Sequence, residues 1–151
     1  MVRFEIVDEL YKKHKFREVR LPTKATKYSV GYDFFSNDSV KIYPNEYYMF
    51  WTDVKVKLYK DEFLMIVPRS SIGINNHLML CNTVGIIDPD YYGNEMNDGN
   101  IGICLFNYGN RVVTIRDGDR IAQGIVLKTK VDVSSNEVRK GGIGSTNSAF
   151  C

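Results

Sequence analysis

The sequence is poor in the residues that usually announce a chemistry. It holds two histidines and three cysteines in 151 positions, and Cys81, Cys104 and Cys151 form no close-spaced pair. A zinc site and a disulfide scaffold are both disfavoured, and an odd thiol count without a secretory leader fits reduced cysteines in the cytoplasm. His14 and His77 stand far apart with no nucleophile signature nearby. Both read as surface residues, and no histidine-dependent nucleophilic mechanism is indicated. No apolar run approaches the ~20 residues needed to span a bilayer, and the N-terminus lacks a secretory apolar core, so no membrane partner is expected. An excess of one charge is missing too. Twenty Lys and Arg face 18 Asp and Glu, and the tightest basic cluster is the short Lys12-Lys13-His14-Lys15. That balance argues against a nucleic-acid partner.

What is present is period-two alternation. In Asp53-Val54-Lys55-Val56-Lys57-Leu58 the apolar residues fall on one face and the charges on the other, as in a half-buried strand. Phe63–Val67 is a short apolar run stopped by Pro68. Further strands fit Phe4–Val7, Lys41–Tyr43, Tyr47–Thr52, Gly102–Asn107, Val112–Ile115 and Gly124–Leu127, separated by turn clusters such as Arg116-Asp117-Gly118-Asp119. The expectation is an all-β sandwich or barrel. Helix signals are thin: Ser70-Ser71 could cap one short helix, and Asp8–Lys15 is an ambiguous second candidate. From Asp132 to Cys151 the chain is rich in Ser, Gly and Asn without periodicity, and should be mobile when nothing is bound. The chain therefore divides into one domain over 1–131 and an arm over 132–151.

The stretch Asn82-Thr83-Val84-Gly85-Ile86-Ile87-Asp88-Pro89-Asp90-Tyr91-Tyr92-Gly93 carries the most chemistry. An apolar strand runs directly into carboxylates, which can hold an ionisable group in a fixed place, as a catalytic base requires. Pro68-Arg69-Ser70-Ser71-Ile72-Gly73 joins a guanidinium to two hydroxyls at a possible helix start, a donor set suited to phosphate, although alone it reads better as a surface Arg beside an N-cap. Gly141-Gly142-Ile143-Gly144-Ser145-Thr146 permits close backbone approach to phosphate but reads equally as a loose tail. Asp33 lies among aromatics, where it could face a metal's water shell or pair with an arginine. Gln123 ends an apolar strand.

In order and spacing, Gly31-Tyr32-Asp33, Pro68-Arg69-Ser70-Ser71, Gly85-Ile86-Ile87-Asp88-Pro89-Asp90-Tyr91, Arg120-Ile121-Ala122-Gln123 and the glycine-rich tail segment closely resemble the five motifs of the trimeric dUTP pyrophosphatases (dUTPases). The similarity runs from near Arg20 to about Asn147. It implies a distorted β jelly roll with at most one short helix, assembled as a homotrimer whose sites draw on several subunits. It also implies splitting of dUTP into dUMP and pyrophosphate by water attack at the α-phosphorus, which limits uracil incorporation into DNA. By motif match, Asp88 would activate the water and Gln123 would hold it or an α-phosphate oxygen. Arg69, Ser70 and Ser71 would grip the phosphates, and Asp33 would hold waters of a Mg²⁺ bound by the triphosphate. Asn82, with backbone at Gly85 and Ile87, would read the uracil edge. Tyr91 would lie against the deoxyribose, and Arg139, Ile143, Gly144, Ser145 and Thr146 would close over the nucleotide.

The chain departs from that pattern in three places. Ile143 stands where an aromatic usually covers the base, and Val138 where an Arg usually precedes the glycines, with Arg139 one position away. An insertion over about Glu95–Asn100 should form an extended polar hairpin that helps cover the site, through Met96. Tyr92 also replaces a common basic residue. Two rivals remain. A dCTP deaminase shares fold and motifs but relies on a Glu that Ile101–Asn107 lacks, and a non-catalytic nucleotide-binding module would be expected to have lost Asp88 or Arg69.

Overall fold

The computed structural model of the chain describes residues 2–130, 132 and 135–144. Among them, strands form from β1 (Arg3–Ile6), β2 (Tyr32–Phe35), β3 (Val40–Ile42), β4 (Tyr47–Trp51) and β5 (Val54–Lys57) onward. They continue through β6 (Glu62–Val67), β7 (Leu78–Leu80), β8 (Gly85–Ile87), β9 (Gly102–Asn107), β10 (Val113–Ile115) and β11 (Arg120–Lys128). All pair antiparallel, in a four-stranded sheet β2-β11-β6-β8, a three-stranded sheet β4-β9-β7, and the pairs β1-β5 and β10-β3. The result is a jelly-roll-like sandwich rather than a closed barrel. Phe34, Leu64 and Ile121 from the first sheet meet Phe50, Leu78 and Leu105 from the second in one buried cluster.

The alternation that predicts the strands also sets their faces. Val54 and Val56 of β5 point inward, while Lys55 and Lys57 stay outside the core. In β11 two consecutive residues, Ile121 and Ala122, are both buried, because the β2–β11 register shifts between Arg120 and Ala122. Such a bulge re-aims the side chains beside it. Strands β2 and β7 are found where the sequence signals no strand; both are short and defined by their partners. The one α-helix among the described residues, α1, spans Ser70–Ile74, with Arg69 rather than a serine at the N-cap and no side-chain cap.

Two expectations fail in the N-terminal segment. Asp8–Lys15 forms a single turn, in which Tyr11 and Lys12 N–H bond the Asp8 carbonyl. It stops there because the next amides, of Lys13 and His14, donate to the buried Asp53 carboxylate at 2.9 Å each. His14 is accordingly not a surface residue. Its ring lies between Asp53 (Nδ1 to Oδ2, 2.8 Å) and Asp38 (Nε2 to Oδ1, 3.1 Å) with little exposure. Burial pushes the Asp53 carboxyl up, but hydrogen bonds from Lys13, His14 and Asn100 outweigh it and hold the group below the usual carboxylate range.

The Glu95–Asn100 excursion is compact rather than an extended hairpin. Asn94 Oδ1 accepts the N–H groups of Met96 and Asn97, and Asn97 Oδ1 accepts that of Gly99. Gly99 adopts φ +85°, and a Cβ there would lie 2.8 Å from the Tyr91 carbonyl, so the tight return needs glycine.

Candidate active site

Among the described residues strand β8 is an edge strand, paired with β6 on one side only. Its other backbone edge remains available for recognition. A tight turn leads into it: Thr83 sits at φ +64°, an unusual conformation for a β-branched residue, and Val84 N–H bonds the Asn82 carbonyl at 2.7 Å. At its other end, Asp88 precedes a 3-10 turn over Pro89–Tyr91 that drops Tyr91 into the core. Between these features lies a cavity of about 350 Å³, lined by Asn82, Gly85, Ile87 and Tyr91 together with Ile66, Leu80 and Cys104. Its volume and its apolar wall with a few polar groups suit a small organic ligand. Burial raises the Tyr91 hydroxyl above its ordinary value despite the opposing effects of Asn97 and Arg139, so it remains a donor. It donates to the Asn100 carbonyl at 2.8 Å and accepts from Asn97 Nδ2 at 2.7 Å.

The C-terminal segment lies across this cavity, contributing Arg139, Gly142, Ile143 and Gly144 to its lining. Arg139 reaches two carboxylates, Asp88 through Nη2 (2.5 Å) and Asp90 through Nε (2.8 Å), while Val138 points away into solvent. Gly142 is pressed against the Tyr91 ring, and the Met96 side chain occupies the space beside Gly141. Met96 N–H also bonds the Lys140 carbonyl. The excursion and the tail therefore touch each other through Met96, next to the tail residues that line the cavity but not among the lining residues themselves. Ile143 remains 78% exposed. Ser145 and Thr146 lie outside the described residues, as does Cys151.

A second group gathers where β2, β11 and β6 lie side by side. Asp33 is buried with both oxygens engaged, Oδ1 by Arg69 Nε at 2.9 Å and Oδ2 by Arg120 Nη1 at 3.2 Å. Gln123 is the cross-strand partner of Asp33 and donates to the Pro68 carbonyl at 3.2 Å. Ser70 and Ser71 open α1 next to Arg69. Two guanidinium groups braced by one carboxylate, with hydroxyls alongside, make a cationic surface suited to phosphate oxygens. None of Asp33, Arg69, Ser70, Ser71, Arg120 or Gln123 lines the cavity under the tail. Within one chain the candidate residues thus fall into two separate groups.

The dUTPase family profile matches residues 17–147. The chain belongs to the dUTPase family. It is 33% identical over 142 residues to the deoxyuridine 5'-triphosphate nucleotidohydrolase of Lactococcus lactis, covering 91% of this chain and 95% of that one. The mouse enzyme of the same name is 31% identical over 132 residues, 83% of this chain and 76% of its own. The crystal structure of the Streptococcus mutans dUTPase superposes with a TM-score of 0.73 at 29% identity, over 85% of this chain and 97% of that chain.

Three residues of these groups carry no signal of their role in the sequence. Arg120 stands inside one of the dUTPase-like motifs, yet only the bulged pairing of β11 with β2 turns it toward Asp33. Asn97 and Asn100 belong to the excursion, and their contacts with Tyr91 depend on its compact folding. The Cys81 and Cys104 sulfurs lie 2.9 Å apart as thiols at the cavity's edge. Burial, then Cys81, push the Cys104 thiol up to about 12, which suits a wall rather than a nucleophile.

Proposed function

We propose that the chain hydrolyses dUTP to dUMP and pyrophosphate by attack of an Asp88-activated water on the α-phosphorus. Family membership makes it a dUTP-hydrolysing enzyme; the observation that carries the finer reading is the cavity between the β8 edge and Tyr91, with Asp88 next to its lining residue Ile87 and ion-paired to its lining residue Arg139. Uracil would meet the Asn82 side chain and the backbone at Gly85 and Ile87, where mismatched polar groups on another base would be left buried and unpaired. Deoxyribose would stack on Tyr91. Arg139 would exchange its carboxylate partners for phosphate oxygens, releasing Asp88 to take the water's proton. Ile143, Gly144, Ser145 and Thr146 would complete the cover.

The phosphate chain would lie against Arg69, Ser70, Ser71 and Arg120, with Gln123 holding the water or an α-phosphate oxygen. Because these residues do not line the cavity of their own chain, they would come from a neighbouring copy, which supports a homotrimer with shared sites. The outer face of the β4-β9-β7 sheet supports the same assembly. Tyr47, Met49 and Trp51 there pair across with Phe106, Cys104 and Gly102, an apolar face where a solvated sheet would carry polar residues.

Among the described residues no three of His, Cys, Asp and Glu are grouped to hold a metal. A Mg²⁺ carried by the triphosphate would meet Asp33 only through water, on the carboxylate lone pairs that Arg69 and Arg120 leave free. Such an ion would neutralise and orient the phosphates. No described helix is long and apolar enough to cross a membrane. The test is product analysis with dUTP, dCTP, dTTP and UTP. Pyrophosphate from dUTP alone is expected. Ammonia from dCTP would favour a deaminase, and binding without turnover a regulatory module.

A further inference from the structure

The excursion over 94–100 does more than fill space beside the cavity. Its three asparagines have distinct partners. Asn94 Nδ2 donates to the Tyr91 carbonyl at 2.8 Å and to Asn97 Oδ1 at 2.7 Å, tying the loop to the turn that carries Tyr91. Asn100, fully buried, is clamped to Asp53: its Oδ1 accepts the Asp53 N–H at 2.9 Å and its Nδ2 donates to Asp53 Oδ1 at 2.8 Å. That leaves the Asn100 carbonyl fixed as the acceptor for the Tyr91 hydroxyl. Asn97 supplies the other half, donating from Nδ2 to the same hydroxyl at 2.7 Å. The ring that walls the cavity is therefore held at its far end by one donor and one acceptor, and is flanked at Cε2 by Gly142.

This arrangement has a chemical consequence. A phenolic hydroxyl that already donates once and accepts once is turned away from anything lying on the ring. A ribose 2′-hydroxyl placed there would lose water and meet a phenol whose donor and better acceptor position are both already taken. A deoxyribose carries no such group. We propose that Asn97 is a positioning residue for Tyr91 and, by occupying its hydroxyl, sets the discrimination between deoxyribo- and ribonucleotides. The inference rests on the reading of this cavity as the nucleoside site.

The test is the ratio of kcat/KM for dUTP over UTP, measured by pyrophosphate release in a double-mutant cycle. Asn97→Asp keeps an oxygen to accept from Gly99 and Asn94, so the loop retains its brace, but it offers the tyrosine no donor. The ratio should fall about tenfold, and Asn97→Ala should move it the same way. In a Tyr91→Phe background, which has no hydroxyl to occupy, Asn97→Asp should leave the ratio where it is. A ratio within about twofold of wild type in Asn97→Asp would overturn the proposal. So would a fall that persists in the Tyr91→Phe background, since the effect would then not pass through the hydroxyl. Should Asn97→Ala fail to fold, the Asn97→Asp cycle decides alone. Wild-type protein that hydrolyses neither nucleotide refutes the nucleoside-site reading itself, a result distinct from normal dUTP turnover with unaltered selectivity.

Discussion

Replacing Gly142 with alanine tests whether the C-terminal segment closes on Tyr91. A Cβ at residue 142 would lie 2.7 Å from Tyr91 Cε2 and 3.3 Å from both Cζ and the hydroxyl oxygen. Ordinary carbon contacts begin near 3.5 Å, so something must move by about 0.8 Å. The ring is a poor candidate, being 7% exposed with its hydroxyl held from two sides. The segment has few such restraints and should lift. An overpacking penalty of about 1–3 kcal/mol would then fall on the closed state of the segment rather than on the fold. At 1.4 kcal/mol per tenfold, KM for dUTP should rise roughly 5- to 140-fold with the melting temperature almost unchanged. Steady-state kinetics and a thermal melt on the same protein read both quantities. An unchanged KM would mean that the segment does not rest on Tyr91 when substrate binds. A large fall in melting temperature would mean that the ring, not the segment, gave way.

Two further outcomes follow from contacts around the site. Asp53 has a folded pKa below its unfolded value of about 3.9, so its contribution is present above that pH and is lost as pH falls through the lower folded value. Asp53→Asn should lower stability at pH 7 by about 2–4 kcal/mol and flatten the loss of melting temperature between pH 7 and pH 3, and an equally steep acid loss would refute the assignment. Ile143→Phe should tighten nucleotide binding by about 1 kcal/mol through stacking over the base, measured by fluorescence titration, with weaker binding counting against the cover.

Legibility from sequence followed the range of the contacts involved. Strands β5 and β9 were visible because alternation is local, and the reach from Asn82 to Tyr91 was readable because its groups are contiguous. Strands β2 and β7 were not, since each is only a few residues long and takes its identity from the strand beside it. His14 looked like part of a solvated basic cluster because both its partners, Asp38 and Asp53, are distant in the chain. The polar excursion read as an extended hairpin because nothing local indicates that its asparagines turn inward onto Tyr91 and Asp53. The separation of Asp88 from Arg69 and Gln123 emerges only when the sheets are assembled.

If Asp88 is the base for dUTP hydrolysis, its loss should stop the chemistry and spare binding. Pyrophosphate release from dUTP by wild-type protein and by Asp88→Asn is measured beside binding of a non-hydrolysable dUTP analogue. Turnover in the wild type, a loss of at least about 100-fold in kcat in Asp88→Asn, and retained analogue binding in both are expected. Full activity in Asp88→Asn, or none in the wild type, would rule out Asp88 as the base.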